Sequence, residues 1–310
     1  MITENTVFIL GAGASYPYGL PLAKELRHQI CFDFVPYYKN LIGRLMKPQR
    51  GEKLIQQARE LADAFFKSSD PSIDVWLVKN LSFMGIGKEA IISIILHGEH
   101  KGGLREKAPH HDQDWYSYLW RRMTDGFSCP GDYKKFSQNK VDFITFNYDR
   151  SLDKFLFESL TNAFRGISSD DAVKQLNQRK LIHLYGQIAP LKWQGSLDRA
   201  SYGDHPDEFW PKKYVDNLKI IYEAENTPEV KEAHNLIQKA QRIFFLGFGY
   251  AKENLAILQI PNILESQTIY GTAFGSTSTE ITKISRRIGK QFFPPIIEPW
   301  DCLRLLREHL

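Results

Sequence analysis

Short apolar runs that end in glycine or small polar residues recur along this chain and alternate with longer helical patterns. Their apolarity is continuous rather than alternating, which is typical of strands buried on both faces of a parallel sheet. Such strands alternating with helices predict an α/β fold: a Rossmann-like, mostly parallel sheet flanked by helices. The predicted strands are residues 6–10, 141–146, 181–185, 242–246, 267–271 and 291–296.

Helical patterns follow most of these strands, at residues 22–31, 150–159, 253–258, 279–289 and 302–309. Thr279 or Ser278 is expected to cap the fourth of these helices. From about residue 35 to residue 139 the pattern changes to helices with few strand candidates, at 52–67, 73–81, 88–96 and 115–123. We therefore predict a single domain over residues 1–310, with a core of 1–34 and 140–310 and a helical insertion at about 35–139.

Composition excludes several classes of protein. Hydrophobic residues make up 43% and charged residues 25%, as in a soluble globular protein. Forty basic and thirty-six acidic residues give a net charge of +4, and the basic pairs are scattered, so nucleic-acid binding is not indicated. Cys31, Cys129 and Cys302 form no CxxC pair, which fits a reducing cytoplasm and provides no zinc or disulfide framework. No apolar run approaches the roughly 20 residues of a membrane span, and no signal peptide precedes the first strand.

The first strand runs into the sequence GAGAS, residues 11–15, and a helix is expected to begin near Leu20. Glycines between a strand and a helix let backbone N–H groups approach a phosphate. Tyr16 stands where the third glycine of GxGxxG would be, and no GK[ST] follows, so this is neither a standard dehydrogenase fingerprint nor a P-loop. A tight strand-to-helix turn without a ligand is the alternative interpretation.

Asn147 and Asp149 follow the strand that ends in TFNYD, residues 145–149. Ligands of open α/β sheets bind at the carboxyl ends of the strands, so both side chains are expected at the crevice. Asp149 as a helix cap and Asn147 as a turn residue are the structural alternatives.

His183 lies on a predicted strand that ends at Gly186, and Tyr185 is expected on the same strand face. A histidine here suits a general base near neutral pH, and a purely structural histidine is the alternative. A further strand ends in LGFGY, residues 246–250, and places Gly247, Gly249 and the later Asn254 beside a ribose or adenine ring. Taken together, these strand ends describe a nucleotide crevice.

In this order, the segments GAGAS, TFNYD, the histidine strand and LGFGY resemble the SIR2-like domain. This sirtuin-related, NAD-hydrolysing domain occurs in many bacterial anti-phage defence proteins. The segment SIDVWL, residues 72–77, is similar to another element of that family, and the resemblance extends from Val7 to about Gly275. It implies a Rossmann-like NAD+ site in which Gly11, Ala12, Gly13 and Ser15 hold the pyrophosphate.

The resemblance also implies roles for the residues after the strands. Asn147 aligns with the family's catalytic asparagine, and Asp149 aligns with the aspartate that contacts the nicotinamide amide. The family's catalytic histidine directly precedes a glycine, where this chain has Tyr185. We expect His183, two residues earlier, to take the proton instead.

Two departures from the sirtuins bear on the reaction. Phe146 replaces the glutamine of their TQNxD motif, and the cysteines needed for their zinc module are missing. Both differences favour hydrolysis of NAD+ to nicotinamide and ADP-ribose over protein deacylation, with NAD+ as substrate and no metal. The histidines at 97, 100, 110 and 111 have no standard ligand spacing and are expected in a polar loop.

The resemblance implies a cytoplasmic effector of abortive infection that is silent until triggered. Control is expected through a homo-oligomer or a separately encoded partner such as a HerA-like ATPase or a short Argonaute. The alternatives are a non-catalytic NAD+ or ADP-ribose sensor, a sirtuin-like transferase or deacylase, and a nucleic-acid-binding protein.

Overall fold

A computed structural model describes residues 1–104, 110–195, 200–204, 210–262, 264, 266–289 and 294–310. Six parallel strands form one sheet in the order β3-β2-β1-β4-β5-β6. The predicted α/β fold with a parallel, helix-flanked sheet is confirmed. The strands are β1 (Thr6–Leu10), β2 (Val141–Thr145), β3 (Leu181–His183), β4 (Arg242–Leu246), β5 (Thr268–Thr272) and β6 (Ile296–Glu298).

Strands β1 and β4 have the predicted bounds, whereas the others differ at their ends. Strand β2 ends one residue early and β3 ends at His183, because the N–H of Gly186 turns back to the His183 carbonyl at 3.1 Å. Tyr185 therefore lies in a turn and does not share a strand face with His183. Strand β6 overlaps the predicted 291–296 strand at residue 296, and residues 291–293 of that prediction lie outside the described residues.

The helices begin with α1 directly in the glycine loop, where the sequence had indicated a helix only from about Leu20. Their bounds are α1 (Ala12–Ser15), α2 (Ala23–Phe32), α3 (Phe34–Leu45), α4 (Pro48–Ser68), α5 (Ile73–Lys79), α6 (Met84–Gly102), α7 (Trp115–Met123), α8 (Ser151–Ala163), α9 (Ser169–Leu176), α10 (Ile221–Ala224), α11 (Pro228–Lys239), α12 (Lys252–Ile257), α13 (Ser278–Ile288) and α14 (Cys302–His309).

The cap of α13 differs from the prediction. Thr277, rather than Thr279 or Ser278, precedes the helix, and its Oγ1 accepts a hydrogen bond from the Glu280 N–H at 3.3 Å. The Glu280 carboxylate accepts the Thr277 N–H at 2.8 Å in return, which completes a capping box. The helix consequently begins one residue earlier than the sequence pattern indicated.

Helix α6 is the buried centre of the helical insertion and packs against α2, α3, α4 and α5. Residues 81–102 form a stretch with a mean hydropathy of 1.3, long and apolar enough to cross a membrane, although none was expected. The charged residues Lys88 and Glu89 interrupt it, and both are buried and paired: Lys88 with Glu223 at 2.7 Å, Glu89 with the Tyr38 hydroxyl at 2.5 Å. A share of 61% of this stretch lies inside the protein, as in the core helix of a soluble fold.

Aromatic side chains cross the middle of the sheet and hold its register. Phe8 on β1 packs on Phe143 of β2 at 5.4 Å and on Phe244 of β4 at 5.2 Å, and Phe244 stacks on Tyr270 of β5 at 4.8 Å. Leu10, the last residue of β1, pairs in register with Thr145 and with Leu246. The loops that follow β1, β2 and β4 therefore leave the sheet at one level.

Candidate functional site

The loops after β1 and β4 meet where the strand order reverses, which is the usual ligand position in open α/β sheets. The N–H of Gly13 donates to the Gly247 carbonyl at 3.0 Å. A Cβ on Gly247 would lie 2.0 Å from the Ala14 nitrogen, and Gly247 has a positive φ of 56°. A Cβ on Gly11 would lie 2.6 Å from the Gly247 oxygen. Close contact between the two loops therefore requires these glycines, whether or not a ligand is bound.

This contact changes how a phosphate would be held. Gly11 donates its N–H to Leu246 at 3.0 Å and Gly13 donates to Gly247, so neither N–H points to a ligand. Ala12 is the first residue of α1, and an N–H in that position has no acceptor within its own helix. Among the residues predicted to hold the pyrophosphate, Ala12 is therefore the one whose backbone N–H is available to a phosphate.

Asn147 links the loop after β2 to the glycine loop. Its Nδ2 donates to the Gly11 carbonyl at 2.9 Å and to Ser15 Oγ at 3.0 Å, and its N–H donates to Thr145 Oγ1 at 3.0 Å. Both amide hydrogens are thereby used, and among the described residues no donor binds Oδ1. The structure thus brings Asn147, Gly11 and Ser15 together and leaves Asn147 with one acceptor oxygen for a ligand or a water.

Asp149 is buried and is bound to the start of α8. Its Oδ1 accepts the Ser151 N–H at 3.0 Å and also the Ser151 hydroxyl. The Ser151 hydroxyl lies 2.8 Å from the hydroxyl of Tyr116, on helix α7 of the insertion. Arg150, and not Asp149, is the N-cap residue of α8, so Asp149 binds the first residue of the helix from one position before the cap. Among the described residues no donor binds Asp149 Oδ2.

His183 is held between two acceptors. Its Nδ1 lies 3.1 Å from the Asn147 carbonyl oxygen, and its Nε2 lies 3.1 Å from Asp153 Oδ2. Both contacts are hydrogen bonds only when both ring nitrogens carry protons, that is, in the imidazolium form. Burial by itself lowers the pKa of His183, but Asp153 and the Asn147 carbonyl raise it by more, so the pKa lies above its usual value. This geometry gives His183 a positioning role toward Asn147 and leaves no ring nitrogen to accept a proton.

Tyr185 reaches across to the second half of the sheet. Its hydroxyl donates to Asn254 Oδ1 at 2.6 Å, and its ring packs edge-on against Phe146 at 5.2 Å. The predicted ribose or adenine contact Asn254 is thus fixed by Tyr185. Gly249 is exposed, and a Cβ there would meet no atom within 4 Å, so neither crowding nor a positive φ explains this glycine.

Several residues of the site were not identified from the sequence. Asp153 binds His183 through Oδ2 and accepts the Gln194 amide at 2.9 Å through Oδ1. Arg150 is completely buried, and its guanidinium pairs with Glu99 of α6 at 2.5 Å. Burial alone would lower the pKa of Arg150, but the Glu99 carboxylate holds this pKa above its usual value. Asp153 and Arg150 carry no signal in the sequence beyond a helical pattern, because their partners lie far away in the chain.

The space at these residues is small. Ser15, Tyr116, Asn147, Asp149 and His183 line a cleft of about 10 Å³, which is room for about one water. Asp153 also lines a second, larger cavity of about 560 Å³ beneath α8. We place the candidate site at the small cleft, because the strand ends and glycine loops converge there. Among the described residues, no three His, Cys, Asp or Glu side chains are grouped as metal ligands would be.

Comparison with known proteins assigns no class to this fold and site: no family model matches the sequence, and no curated protein matches it.

Proposed function

We propose that this chain is an NAD+ glycohydrolase that cleaves NAD+ to nicotinamide and ADP-ribose. The observation that carries the proposal is the position of Asn147, which bridges Gly11 and Ser15 at the switch point and keeps Oδ1 for a ligand. The same segments, GAGAS and TFNYD, carry the resemblance to SIR2-like domains.

The chemistry required is modest. The glycosidic bond breaks with oxocarbenium character, and nicotinamide leaves as a neutral molecule, so no strong base is needed before bond cleavage. Holding the ribose and a water in place supplies several kcal/mol of barrier lowering. Asn147 Oδ1 orients the water or a ribose hydroxyl, and Asp149 Oδ2 accepts the carboxamide N–H of nicotinamide. His183 holds the Asn147 backbone, and as an imidazolium it could take the proton that the attacking water loses only after giving up one of its own ring protons.

The small cleft supports the idea of an enzyme that is silent until triggered. About 10 Å³ holds a water but not a nicotinamide ring, so substrate requires Tyr116 on α7 or the neighbouring loops to move. We propose that a homo-oligomer or a separately encoded partner, such as a HerA-like ATPase or a short Argonaute, drives this movement. An effector of anti-phage defence that depletes NAD+ in the cytoplasm would need such control.

A non-catalytic NAD+ or ADP-ribose sensor is the second candidate. Both ring nitrogens of His183 are hydrogen-bonded, and the Tyr185 hydroxyl is bound to Asn254. These contacts favour the sensor, because they occupy groups that a reaction would use. In that case NAD+ binding would set the assembly state and NAD+ would stay intact.

The test is nicotinamide release from NAD+, followed by chromatography over a series of protein concentrations. Asn147→Ala is compared with Asn162→Ala, an exposed asparagine of α8 that is bound only to its own helix and to Thr161. We expect release by the parent and by Asn162→Ala, and at least about a hundredfold slower release by Asn147→Ala, the usual scale for removing one positioned polar group. Equal release by all three contradicts the assignment of Asn147, and intact NAD+ retained by the protein at every concentration favours the sensor.

A further inference from the structure

A cavity of about 560 Å³ lies beneath α8, and it shares Asp153 and Leu181 with the lining of the small cleft. Phe143 of β2 and Leu181 of β3 form its floor, Val173 of α9 lines one wall, and Trp193 lines another. A concave space of this size is within the usual range of small-molecule sites.

The charged groups of this cavity are mostly positive. Arg179 and Lys180 line it, and both stand just before β3. Arg179 uses Nε and Nη2 on the Ser137 carbonyl, at 3.2 and 2.8 Å, and no acceptor among the described residues binds its Nη1. The Lys180 amine is 3.7 Å from Glu232, and its side chain is 56% exposed, so this ion pair is weak.

The acidic side chain of the cavity, Asp153, already has hydrogen-bond partners on both carboxylate oxygens. Asp153 binds His183 through one oxygen and the Gln194 amide through the other. Its charge is therefore balanced within the protein, and the cations at 179 and 180 determine which ligand the cavity attracts. Among the described residues that line the cavity, a positively charged ligand would find no available carboxylate.

The rest of the lining is mostly aromatic or aliphatic, with Asn177 and Gln194 as its uncharged polar side chains. Phe136 and Phe143 face the cavity, and the Trp193 ring is fixed by stacking on Phe157 at 5.0 Å with the planes 8° apart. Flat apolar walls beside two cations suit a ligand with an aromatic body and one anionic group. We propose that this cavity binds a small amphipathic anion, an aromatic or similarly flat molecule carrying one carboxylate, sulfonate or phosphate.

The position of the cavity connects it to the candidate site. Gln194 lines the cavity, holds Asp153 at 2.9 Å, and accepts the Leu191 N–H at 2.7 Å. Asp153 in turn orients His183, which holds the Asn147 carbonyl. An anion that displaces Gln194 therefore changes the support of Asn147. This regulatory consequence rests on the proposed function, whereas binding to the cavity does not.

The binding test uses two fluorescent probes with a similar aromatic body. 8-Anilinonaphthalene-1-sulfonate carries an anionic group, and N-phenyl-1-naphthylamine lacks it. Each is titrated into the full chain and into three variants. Val173→Trp fills the cavity, Arg179→Met removes one cation at similar length, and Lys174→Met removes a cation that is on the same helix as Val173 but outside the cavity and 73% exposed.

We expect the sulfonate to bind the parent at one site, at least about tenfold more tightly than the neutral probe, or about 1.4 kcal/mol. Val173→Trp should abolish this binding, Arg179→Met should weaken it about tenfold, and Lys174→Met should leave it unchanged. Equal binding of both probes to the parent overturns the anion proposal without any variant. Unchanged sulfonate binding by Val173→Trp, with its fold verified by circular dichroism, overturns the location.

Nicotinamide release is measured in the same samples, so that the two proposals fail separately. A parent that binds the sulfonate with these variant effects but retains intact NAD+ at every protein concentration supports the cavity and favours the sensor over the hydrolase. A parent that cleaves NAD+ but binds no sulfonate overturns the cavity proposal alone. Sulfonate-dependent change in the rate of the parent, absent in Val173→Trp, is the expected sign of coupling.

Discussion

Replacing Glu99 with glutamine tests the buried ion pair that joins the helical insertion to the loop carrying Asn147. Both side chains of the Glu99–Arg150 pair are 0% exposed. The carboxylate accepts Arg150 Nη2 at 2.5 Å, Nε at 3.2 Å and the backbone N–H at 3.1 Å. Glutamine keeps the shape and one oxygen but removes the negative charge, so the guanidinium keeps only carbonyl partners at Ala189, Ala200 and Ser201.

The size of the expected loss of stability follows from these contacts. Removing one partner of a buried ion pair costs about 3–5 kcal/mol, because the other charge stays buried and uncompensated. Three remaining carbonyls, at 2.8 to 3.4 Å from the guanidinium, place the expected loss at about 3 kcal/mol. With an unfolding entropy of roughly 2.1 cal/mol/K per residue, a chain of 310 residues should lose about 5 °C in melting temperature.

Urea unfolding followed by far-ultraviolet circular dichroism measures the loss as a lower midpoint at constant m-value. Asp63→Asn is the matched control, because the Asp63–Lys67 pair is also short, at 2.7 Å, but its side chains are 62% and 70% exposed. That control should cost less than about 0.5 kcal/mol. A loss for Glu99→Gln no larger than the loss for Asp63→Asn would refute the reasoning.

Two further predictions concern the glycine contact and the histidine pair. Gly247→Ala should lower the free energy of unfolding by about 2–5 kcal/mol, because the added Cβ clashes with the backbone at a residue whose φ is positive. Gly249→Ala is the control, because a Cβ there has open space. Equal urea midpoints for the two variants would contradict this prediction. Because the pKa of His183 is raised in the folded chain, its contribution to stability is complete below about pH 6.5 and is lost as pH rises through the higher folded value. The stability difference between the parent and His183→Gln should therefore shrink from about pH 6 toward pH 9 in urea titrations; a difference that grows over this range would exclude the charged pair.

The strands of the sheet could be predicted because their residues are apolar on both faces. The run from Thr6 to Leu10 is buried throughout, and β4 repeats this pattern. Strand and helix ends were less accurate, because they depend on single hydrogen bonds. Thr279 and Ser278 were the predicted caps, and only the backbone geometry selects Thr277 instead.

The predicted site residues were those that stand in the motifs, and the structure brings Gly11, Ser15, Asn147 and His183 into contact or close to it. The contacts that hold these residues in place could not be predicted. Gln194 is 41 residues from Asp153, and Glu99 is 51 residues from Arg150. Neither pair has a spacing rule, because each contact forms only when the insertion and the loop after β3 fold onto the sheet.

The place of β1 in the middle of the sheet has a consequence for folding. Its neighbour β4 lies 236 residues later in the chain, as the contact from Arg242 to Thr6 shows. Loop closure over such a distance is slow, so the centre of the sheet forms late. The contact of Gly13 with Gly247 must wait for the same event. The candidate site therefore has no counterpart in a partly synthesised chain, and the proposed NAD+ hydrolysis cannot begin before β4 has left the ribosome.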